Sequence, residues 1–213
     1  MRLPRIKSCD RVEFILNHAD GKSVLHIGCS DMPFTEYKIK RETLLHQRIA
    51  KVTNDLTGVD LSHAGIQLMR DAGIPQVYSV DAETDLFNIL EKKYDVVIVG
   101  EVLEHVLNPG MFLNSIRSVC HKQSIVLITT PNNAPLKRLP RLIFRNEVVH
   151  PDHLYYFSYS TLSALFNKCN YNPIEWHVYW RDVGILSIII NKLLRRISFF
   201  QYFADGFCVL CTV

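Results

Sequence analysis

The chain has 213 residues, of which 48% are hydrophobic and 21% are charged, and its formal net charge is +3. This length suits one α/β domain with a buried core, and the apolar fraction is ordinary for a globular protein. A charge of +3 is too small to indicate nucleic-acid binding by itself, although basic residues bunch at 137–145 and 192–196. Nucleic acid is therefore a disfavoured, though open, class of partner.

Strands and helices alternate along the chain, without repeats or low-complexity linkers. Helical spacing or capping signals predict helices near residues 12–16, 44–52, 62–72, 86–90, 108–119, 162–166 and 185–200. Apolar runs predict strands at residues 23–27, 56–60, 76–80, 96–99, 124–130, 173–180 and 206–213. This order predicts an α/β fold with a doubly wound, mostly parallel sheet and helices on both faces. We expect residues 1–213 to form a single domain.

The cysteines, the first ten residues and one apolar segment bear on where the protein resides. Six cysteines are scattered in mostly apolar contexts, and Cys208 and Cys211 form a lone C-x-x-C inside a strand-like run. A structural zinc site needs four ligands, so we expect buried thiols in a reducing compartment. The first ten residues lack an apolar signal core, and the apolar segment 183–194 is broken by Asn191 and Lys192. These features predict a cytoplasmic protein without a transmembrane segment.

Residues with binding chemistry follow the first three predicted strands, where ligands of open α/β sheets bind. Gly28, in the segment HIGCSD, permits close approach of a ligand to the backbone. Asp60 ends the second strand, where an acid can accept hydrogen bonds from both hydroxyls of a ribose. Asp81, followed by Ala82, offers an acceptor beside a free backbone N–H, which suits the edge of an adenine. Each acid alone can equally cap the next helix. The prediction of a ligand site therefore depends on the order in which these residues follow the three successive strands.

The segment YDVVIVGEVLEHV joins an apolar run to two acids and a histidine. Its four central residues predict a strand that is buried on both faces, with Gly100 at the carboxyl end. Glu101, Glu104 and His105 follow at spacings of three and four, so a helix starting here would place all three on one face. They can then converge on one point, or they can serve as N-terminal dipole partners with a surface histidine.

Taken together, these motifs resemble those of the class I S-adenosylmethionine-dependent methyltransferases over residues 10–180. VLHIGCSD is similar to the family's first motif, GVDLS to its ribose-binding strand, SVDAE to its adenine site and YDVVIVGEVLEHVLNPGMFL to its fourth strand and following helix. The resemblance implies a Rossmann-like sheet of seven strands with the last one antiparallel, and S-adenosylmethionine along the ends of strands one to four. The cofactor-binding residues that it implies are His26, Gly28, Cys29, Ser30, Asp60, Leu61, Asp81, Ala82 and Glu101.

The first motif departs from the family pattern. His26 stands where an acid is usual, and glycines are missing near Ser30 and Met32. His26 can hydrogen-bond the cofactor's amino group when neutral, or can buttress the loop. Two alternative functions remain: a nicotinamide-dependent dehydrogenase, which GCSDM disfavours because it lacks G-x-G-x-x-G, and a non-catalytic methyltransferase-like scaffold. The insertion at residues 33–48 can form a lid.

The E-x-x-E-H pattern is similar to that of small-RNA 2′-O-methyltransferases and of O-methyltransferases in ubiquinone synthesis. The resemblance implies a divalent metal, Mg²⁺, Mn²⁺ or Zn²⁺, on Glu101, Glu104, His105 and a later histidine. His153, in DHLYYFS, matches that histidine best, and His150 is the substitute. The alternative is a metal-free site in which His105 or His153 is a general base. The candidate catalytic residues are therefore Glu104, His105 and His153.

The acceptor side is expected in residues 134–153 and in the aromatic segment 154–159, which can form an acceptor wall or belong to the core. Asn132 and Asn133 can bind the acceptor or shape a turn. Residues 183–204 can dock on a subunit or on a membrane surface, or can pack on the sheet. The predicted activity is methyl transfer to oxygen on a small-molecule or sugar-containing acceptor; nothing in the sequence predicts an oligomeric state.

Overall fold

The computed structural model describes residues 4–84, 86, 90–138, 143–145, 150–182, 184–195 and 197–213. The strands are β1 (Lys7–Ser8), β2 (Ser23–Ile27), β3 (Asp55–Asp60), β4 (Val77–Ser79), β5 (Tyr94–Gly100), β6 (Cys120–Pro131), β7 (Asn172–Tyr179) and β8 (Gly206–Thr212). The α-helices are α1 (Arg11–Ala19), α2 (Thr35–Lys40), α3 (Leu45–Ala50), α4 (His63–Asp71), α5 (Pro109–Arg117), α6 (Tyr159–Lys168) and α7 (Ile185–Leu194). Short 3₁₀ helices cover Leu136–Arg138 and Ser198–Phe203.

Across the described part of the chain, the strands form one sheet in the order β1-β7-β8-β6-β5-β2-β3-β4. Strand β8 runs antiparallel to both of its neighbours, and the remaining pairs are parallel. The predicted α/β class and the antiparallel last strand are therefore confirmed. The sheet has eight strands instead of seven because Lys7–Ser8 adds a short edge strand beside β7. Two residues are too few to show a period-two pattern, so the sequence did not reveal this strand.

The sheet is covered on both faces, as the apolar runs predicted. On one face Leu25, Val97 and Val99 pack in a cluster with Phe112 of α5 and Phe166 of α6. On the other face, the alternate strand residues belong to a second cluster with helices α1 and α3. Its buried members from these elements are Val24, Val96, Ile98, Phe14, Ile15, Ala19 and Ile49. Since successive strand residues point to opposite faces, the central strands are apolar at nearly every position.

Helix starts follow the capping signals in most places. Ser62 accepts a hydrogen bond from Gly65 N at the start of α4, as predicted. Pro109 occupies the first turn of α5, but the Asn108 side chain makes no capping bond there. Helix α6 begins with a reciprocal capping box between Ser158 and Thr161.

Three predicted helices need correction or lie outside the described residues. Residues 101–105 form a bend and a turn instead of a helix, because Glu101 adopts φ 58° and α5 begins only at Pro109. The helix expected at residues 185–200 ends at Leu194 and is followed by a separate 3₁₀ segment. The helix expected around Leu86 falls largely on residues 85 and 87–89, which lie outside the described residues. The same holds for residues 139–142 and 146–149 of the expected acceptor loop.

The capping box of α6 can be tested on the stability of the fold. Ser158 Oγ accepts from Thr161 N at 3.1 Å, and Ser158 N donates to Thr161 Oγ1 at 2.9 Å. Ser158→Ala should lower the free energy of unfolding by about 1 kcal/mol, measured by urea denaturation. The matched control is Ser160→Ala at an exposed position in the same first turn, which should change it by less than about 0.5 kcal/mol. Equal effects of the two substitutions would contradict the assigned cap.

Candidate active site

The strand register brings the predicted site residues to one edge of the sheet. Ile27 of β2 pairs with Val59 of β3 and with Val99 of β5. Gly28, which follows β2, therefore lies level with Asp60 and Gly100, the last residues of β3 and β5. This edge is the carboxyl end of the parallel strands, where ligands of such sheets bind.

Gly28 adopts φ 79° and donates its N–H to Val59 O at 2.9 Å. A Cβ atom at this position would overlap Cγ2 of Val102, which packs directly on the glycine. Glycine is thus required both by the left-handed backbone and by the close approach of the next loop. The neighbouring Cys29 is buried, and burial raises the pKa of its thiol, so it remains protonated.

Asp60 links the first loop to the start of α4. Its Oδ2 accepts from Ser30 N at 2.9 Å, and its Oδ1 accepts from Ser62 N at 2.8 Å. Each carboxylate oxygen has a further lone pair with which to accept a hydrogen bond from a ligand. Next to Asp60, the side chain of Leu61 is 74% exposed at the rim of the site.

Ser30 replaces a glycine of the family motif, and a second glycine makes room for it. A Cβ atom on Gly65 of α4 would lie 2.5 Å from Ser30 Oγ, which no real side chain tolerates. The serine is therefore accommodated by the absence of a side chain on α4. No local signal in the first motif reveals this compensation.

The loop after β4 is joined to the loop after β5. Asp81 Oδ1 accepts from Glu83 N at 2.9 Å, and Ala82 packs against the main core. The carboxylate of Glu83 in turn accepts from Leu107 N at 2.7 Å and from Asn108 N at 3.0 Å. Glu83 thereby positions the start of α5, a role that its place beside Asp81 did not reveal.

His26 is paired with a second buried histidine. It is 1% exposed, and its Nδ1 lies 3.3 Å from Nδ1 of His46 on α3, with the rings stacked. Burial and then the neighbouring His46 hold the pKa of His26 well below its ordinary value, while burial lowers the pKa of His46 to about 4. Both rings are neutral, so one Nδ1 donates to the other. The pair buttresses the end of β2, and a direct cofactor contact of His26 remains a prediction.

Glu101 is held by groups from three other parts of the chain. Its carboxylate accepts hydrogen bonds from the Tyr179 hydroxyl and from the Arg181 guanidinium, and Arg11 of α1 lies close enough to act on its charge. Burial alone would raise the pKa of Glu101, but the charges of Arg11 and Arg181 outweigh this effect and lower the pKa to about 2. Sequence analysis missed all three partners because they are distant from Glu101 along the chain.

Glu104 is fully buried and differs from Glu101 in its charge. Burial, and then the negative charge of Glu101, raises the pKa of Glu104 to about 8, so the carboxyl is mostly protonated at neutral pH. Its Oε2 lies 3.1 Å from Thr130 Oγ1. Its backbone carbonyl accepts from Leu154 N at 2.9 Å and from Tyr155 N at 3.2 Å. Glu104 thus anchors the segment that carries the later histidines.

His105 lies in a cluster with His150 and His153. Ring centroids are 4.6 Å apart for His105 and His153, and 5.0 Å apart for His150 and His153. Burial lowers the pKa of His105, and burial followed by repulsion from the other two rings lowers the pKa of His153 to about 4. The predicted metal set therefore comes together only in part. Residues 101–105 form a turn and not a helix, and neither Glu101 nor Glu104 joins the group, in which His150 stands beside the two predicted histidines.

The aromatic segment divides between the surface and the core. Phe157 is buried, and Tyr159 packs against Trp176, so these two belong to the core. Tyr155 is exposed and donates its hydroxyl to Leu107 O at 2.9 Å, and Tyr156 lies beside His153. Asn132 is buried, with its Nδ2 donating to Tyr202 O at 2.7 Å and Ala204 O at 3.0 Å, which is the turn-shaping role.

The packing of Gly28 against Val102 can be tested with a matched glycine. Gly28→Ala should lower the free energy of unfolding by about 2–5 kcal/mol, the sum of left-handed strain and overpacking. The control is Gly73→Ala, because Gly73 has φ 77° but nothing within 4 Å of a Cβ atom, so only about 1–2 kcal/mol of strain applies. In denaturant unfolding, adding Val102→Ala to Gly28→Ala should recover part of the excess loss. No difference between the two glycine variants would contradict the assigned contact.

The known proteins that resemble this chain include several methyltransferases. A ubiquinone biosynthesis O-methyltransferase of Proteus mirabilis is 28% identical over 129 residues, which are 57% of this chain and 48% of that protein. The chain therefore spans about half the length of the curated relatives that it matches. Its fold is similar to that of a SAM-dependent methyltransferase from Archaeoglobus fulgidus, with a TM-score of 0.60, 18% identity and coverage of 94% of this chain and 90% of the other. It is also similar to the magnesium protoporphyrin IX methyltransferase of Synechocystis with bound SAH, with a TM-score of 0.60, 12% identity and coverage of 94% and 81%.

Across the part of the chain that the structure describes, no helix combines the length and apolar composition needed to cross a membrane.

The family profile described as a methyltransferase domain matches residues 5–175. This range contains the loops after β2, β3, β4 and β5, and therefore every predicted cofactor-binding residue. The chain belongs to the methyltransferase domain family.

Proposed function

We propose that this protein transfers the methyl group of S-adenosylmethionine to a hydroxyl oxygen of a small-molecule acceptor. The observation that carries the proposal is the position of Asp60, whose carboxylate joins Ser30 N and Ser62 N at the carboxyl edge beside the left-handed Gly28. The family match and the names of the curated relatives support it.

The described residues fit the cofactor. Asp60 keeps acceptor capacity that suits the ribose hydroxyls, and Asp81 and Ala82 are proposed to contact the adenine edge. The side-chain-free surface of Gly28 offers a backbone approach for the aminoacyl part. When bound, S-adenosylmethionine supplies a methyl group on a positively charged sulfur. At the end of β5, Glu101 carries a negative charge beside the positive charges of Arg11 and Arg181.

Proton removal from the acceptor is the second requirement. Methylation of a hydroxyl forms the oxygen–carbon bond, breaks the carbon–sulfur bond and releases the hydroxyl proton, which needs a base. His105 and His153 are half-buried, and their lowered pKa values keep both rings neutral at neutral pH, each with a lone pair for the proton; the larger shift of His153, to a pKa of about 4, makes it the weaker base of the two. Glu104 is protonated at neutral pH and is instead assigned the positioning of residues 154–155 through its carbonyl.

The acceptor is proposed to lie against the surface formed by the exposed side chains of Leu154 and Tyr155, beside the half-buried Tyr156, whose ring carries the Arg138 guanidinium. Aromatic surfaces of this kind stack on a planar ring, and the curated relatives are named for O-methylation in ubiquinone biosynthesis. A sugar-containing acceptor has only the stacking argument in its favour. We therefore favour an aromatic hydroxyl compound.

Three further expectations belong to this proposal. The insertion at residues 33–48 folds as α2 and α3 with exposed Phe34 and Tyr37, which suits the proposed lid. Residues 183–204 carry exposed Leu193 and Phe199, which suits peripheral membrane or subunit contact. All six cysteines are free thiols, which supports a reducing, cytoplasmic setting.

The two alternative functions are less well supported. A nicotinamide dehydrogenase would need a Gly-rich turn for a pyrophosphate, whereas the loop after β2 has Ser30 in contact with Gly65. A non-catalytic scaffold was motivated by the missing glycines, and the compensation by Gly65 weakens that motive.

The proposal predicts cofactor-dependent methyl transfer that requires Asp60. With methyl-labelled S-adenosylmethionine, the wild type should methylate a dihydroxybenzoate, and an aminobenzoate should be a much poorer acceptor. Asp60→Asn should raise the KM for S-adenosylmethionine about 10–100-fold, because a charged acceptor of two hydrogen bonds is lost. The matched control is Asp71→Asn, on the exposed end of α4, which should leave the KM unchanged. Calorimetric titration with S-adenosylhomocysteine and with NAD checks binding directly; binding of NAD alone, or an unchanged Asp60→Asn variant, would contradict the proposal.

A further inference from the structure

Three histidines converge at the acceptor side of the site, from two segments that are distant along the chain. His105 follows β5, and His150 and His153 precede the aromatic segment. One ligand atom from each of the three lies within 4.8 Å of the others, and this is the only group of its kind in the described part of the chain. We propose that His105, His150 and His153 bind one divalent transition-metal ion of the zinc class.

The convergence is fixed by contacts between the two segments. Leu154 N donates to Glu104 O at 2.9 Å, and the Tyr155 hydroxyl donates to Leu107 O at 2.9 Å. These bonds lie on either side of His105 and directly after His153. The backbone therefore holds the rings together independently of any contact between them.

In His105 and His153, the hydrogen bond made by Nδ1 indicates which ring nitrogen is free to bind a metal ion. His105 Nδ1 lies 3.0 Å from Asp152 O, which can only accept, so Nδ1 carries the proton and Nε2 is left with a lone pair. His153 Nδ1 lies 3.2 Å from the Tyr156 hydroxyl. Such hydrogen bonds on the second nitrogen are characteristic of metal-binding histidines, because they fix the tautomer and the ring orientation.

His150 is the adjustable member of the group. It is exposed, and its Nδ1 accepts a long hydrogen bond, 3.3 Å, from Asp152 N and lies 3.8 Å from Asp152 Oδ2. Zinc–nitrogen bonds of about 2.0–2.1 Å require the three nitrogens to approach one another further, and rotation of this exposed ring provides the closure. The exposed side of the group leaves a fourth position open to water or substrate.

The ligand set selects the class of metal. Three imidazoles favour Zn²⁺, Co²⁺, Ni²⁺ or Cu²⁺, whereas Mg²⁺ and Ca²⁺ prefer oxygen ligands. The two nearby acids, Glu101 and Glu104, do not belong to this group, and the carboxylate of Glu101 is bonded to Arg181 and Tyr179. This all-histidine site thus differs from the mixed acid–histidine set expected from the E-x-x-E-H pattern.

A bound ion would occupy the lone pairs of His105 and His153, so it would replace them as the means of proton removal by lowering the pKa of a hydroxyl bound at its open position. That catalytic role rests on the proposed function, whereas the binding of the ion does not.

The test is calorimetric titration of the full chain, first stripped with a chelator, with Zn²⁺, Co²⁺ and Mg²⁺ separately. The expected result is one Zn²⁺ per chain, a visible Co²⁺ spectrum of low coordination number and no saturable heat with Mg²⁺. His150→Ala and His153→Ala should each weaken Zn²⁺ binding at least about 10-fold. The matched control His63→Ala, an exposed histidine at the start of α4, should bind as the wild type does. Thermal unfolding of the stripped variants checks that they remain folded.

Absence of saturable Zn²⁺ binding, or binding that survives both His150→Ala and His153→Ala, would overturn the site. Mg²⁺ binding that is lost in Glu104→Gln would also overturn it, in favour of the mixed acid–histidine set. A parallel titration of the stripped protein with S-adenosylhomocysteine separates the two proposals. If S-adenosylhomocysteine binds and Zn²⁺ does not, only the metal site is overturned. If Zn²⁺ binds and S-adenosylhomocysteine does not, only the proposed function is overturned.

Discussion

The fold around the site depends on the carboxylate of Glu101. It is a partly buried charge at the end of the central strand β5, and such a charge is stable only when paired. Its partners come from three places: Arg11 at the start of α1, Tyr179 at the end of β7 and Arg181 just beyond. These contacts fix the end of β5 against one helix and an outer strand. The φ of 58° at Glu101 then turns the chain away from a helical path, and the turn at residues 102–105 follows.

That turn connects the cofactor side of the site to the acceptor side. Val102 packs on Gly28, the buried Glu104 holds residues 154–155 through its carbonyl, and Glu83 holds the start of α5 through Leu107 N and Asn108 N. The two acids of the E-x-x-E-H pattern therefore differ in protonation state. Glu101 is charged and paired, whereas burial and the negative charge of Glu101 keep Glu104 mostly neutral. One short segment thus organises three loops without presenting its acids to a common point.

The sequence predicted local features well and long-range convergence poorly. Apolar runs predicted the strands, including Ser23–Ile27 with its observed bounds, and Ser62 predicted the start of α4. The order of motifs predicted which strand ends meet, because parallel strands share one edge. The placement of Glu101, Glu104 and His105 on one face depended on a helix starting at Glu101, and this helix does not form, because spacing cannot reveal a left-handed residue held by distant partners. The pairs His26–His46 and Ser30–Gly65 were missed for the same reason: each joins two elements through packing that has no signature in either segment.

We propose that the carboxyl edge of β2, β3 and β5 holds the methyl donor, with its sulfur toward the 102–105 turn. A crystal structure with bound S-adenosylhomocysteine is the decisive measurement. The ribose hydroxyls should lie on the Asp60 carboxylate, the adenine beside Asp81 and Ala82, and the sulfur near Gly28 on the side of the 102–105 turn. A ligand bound elsewhere on the chain, or bound in this cleft without contact to Asp60, would show that the edge does not hold the donor in this way.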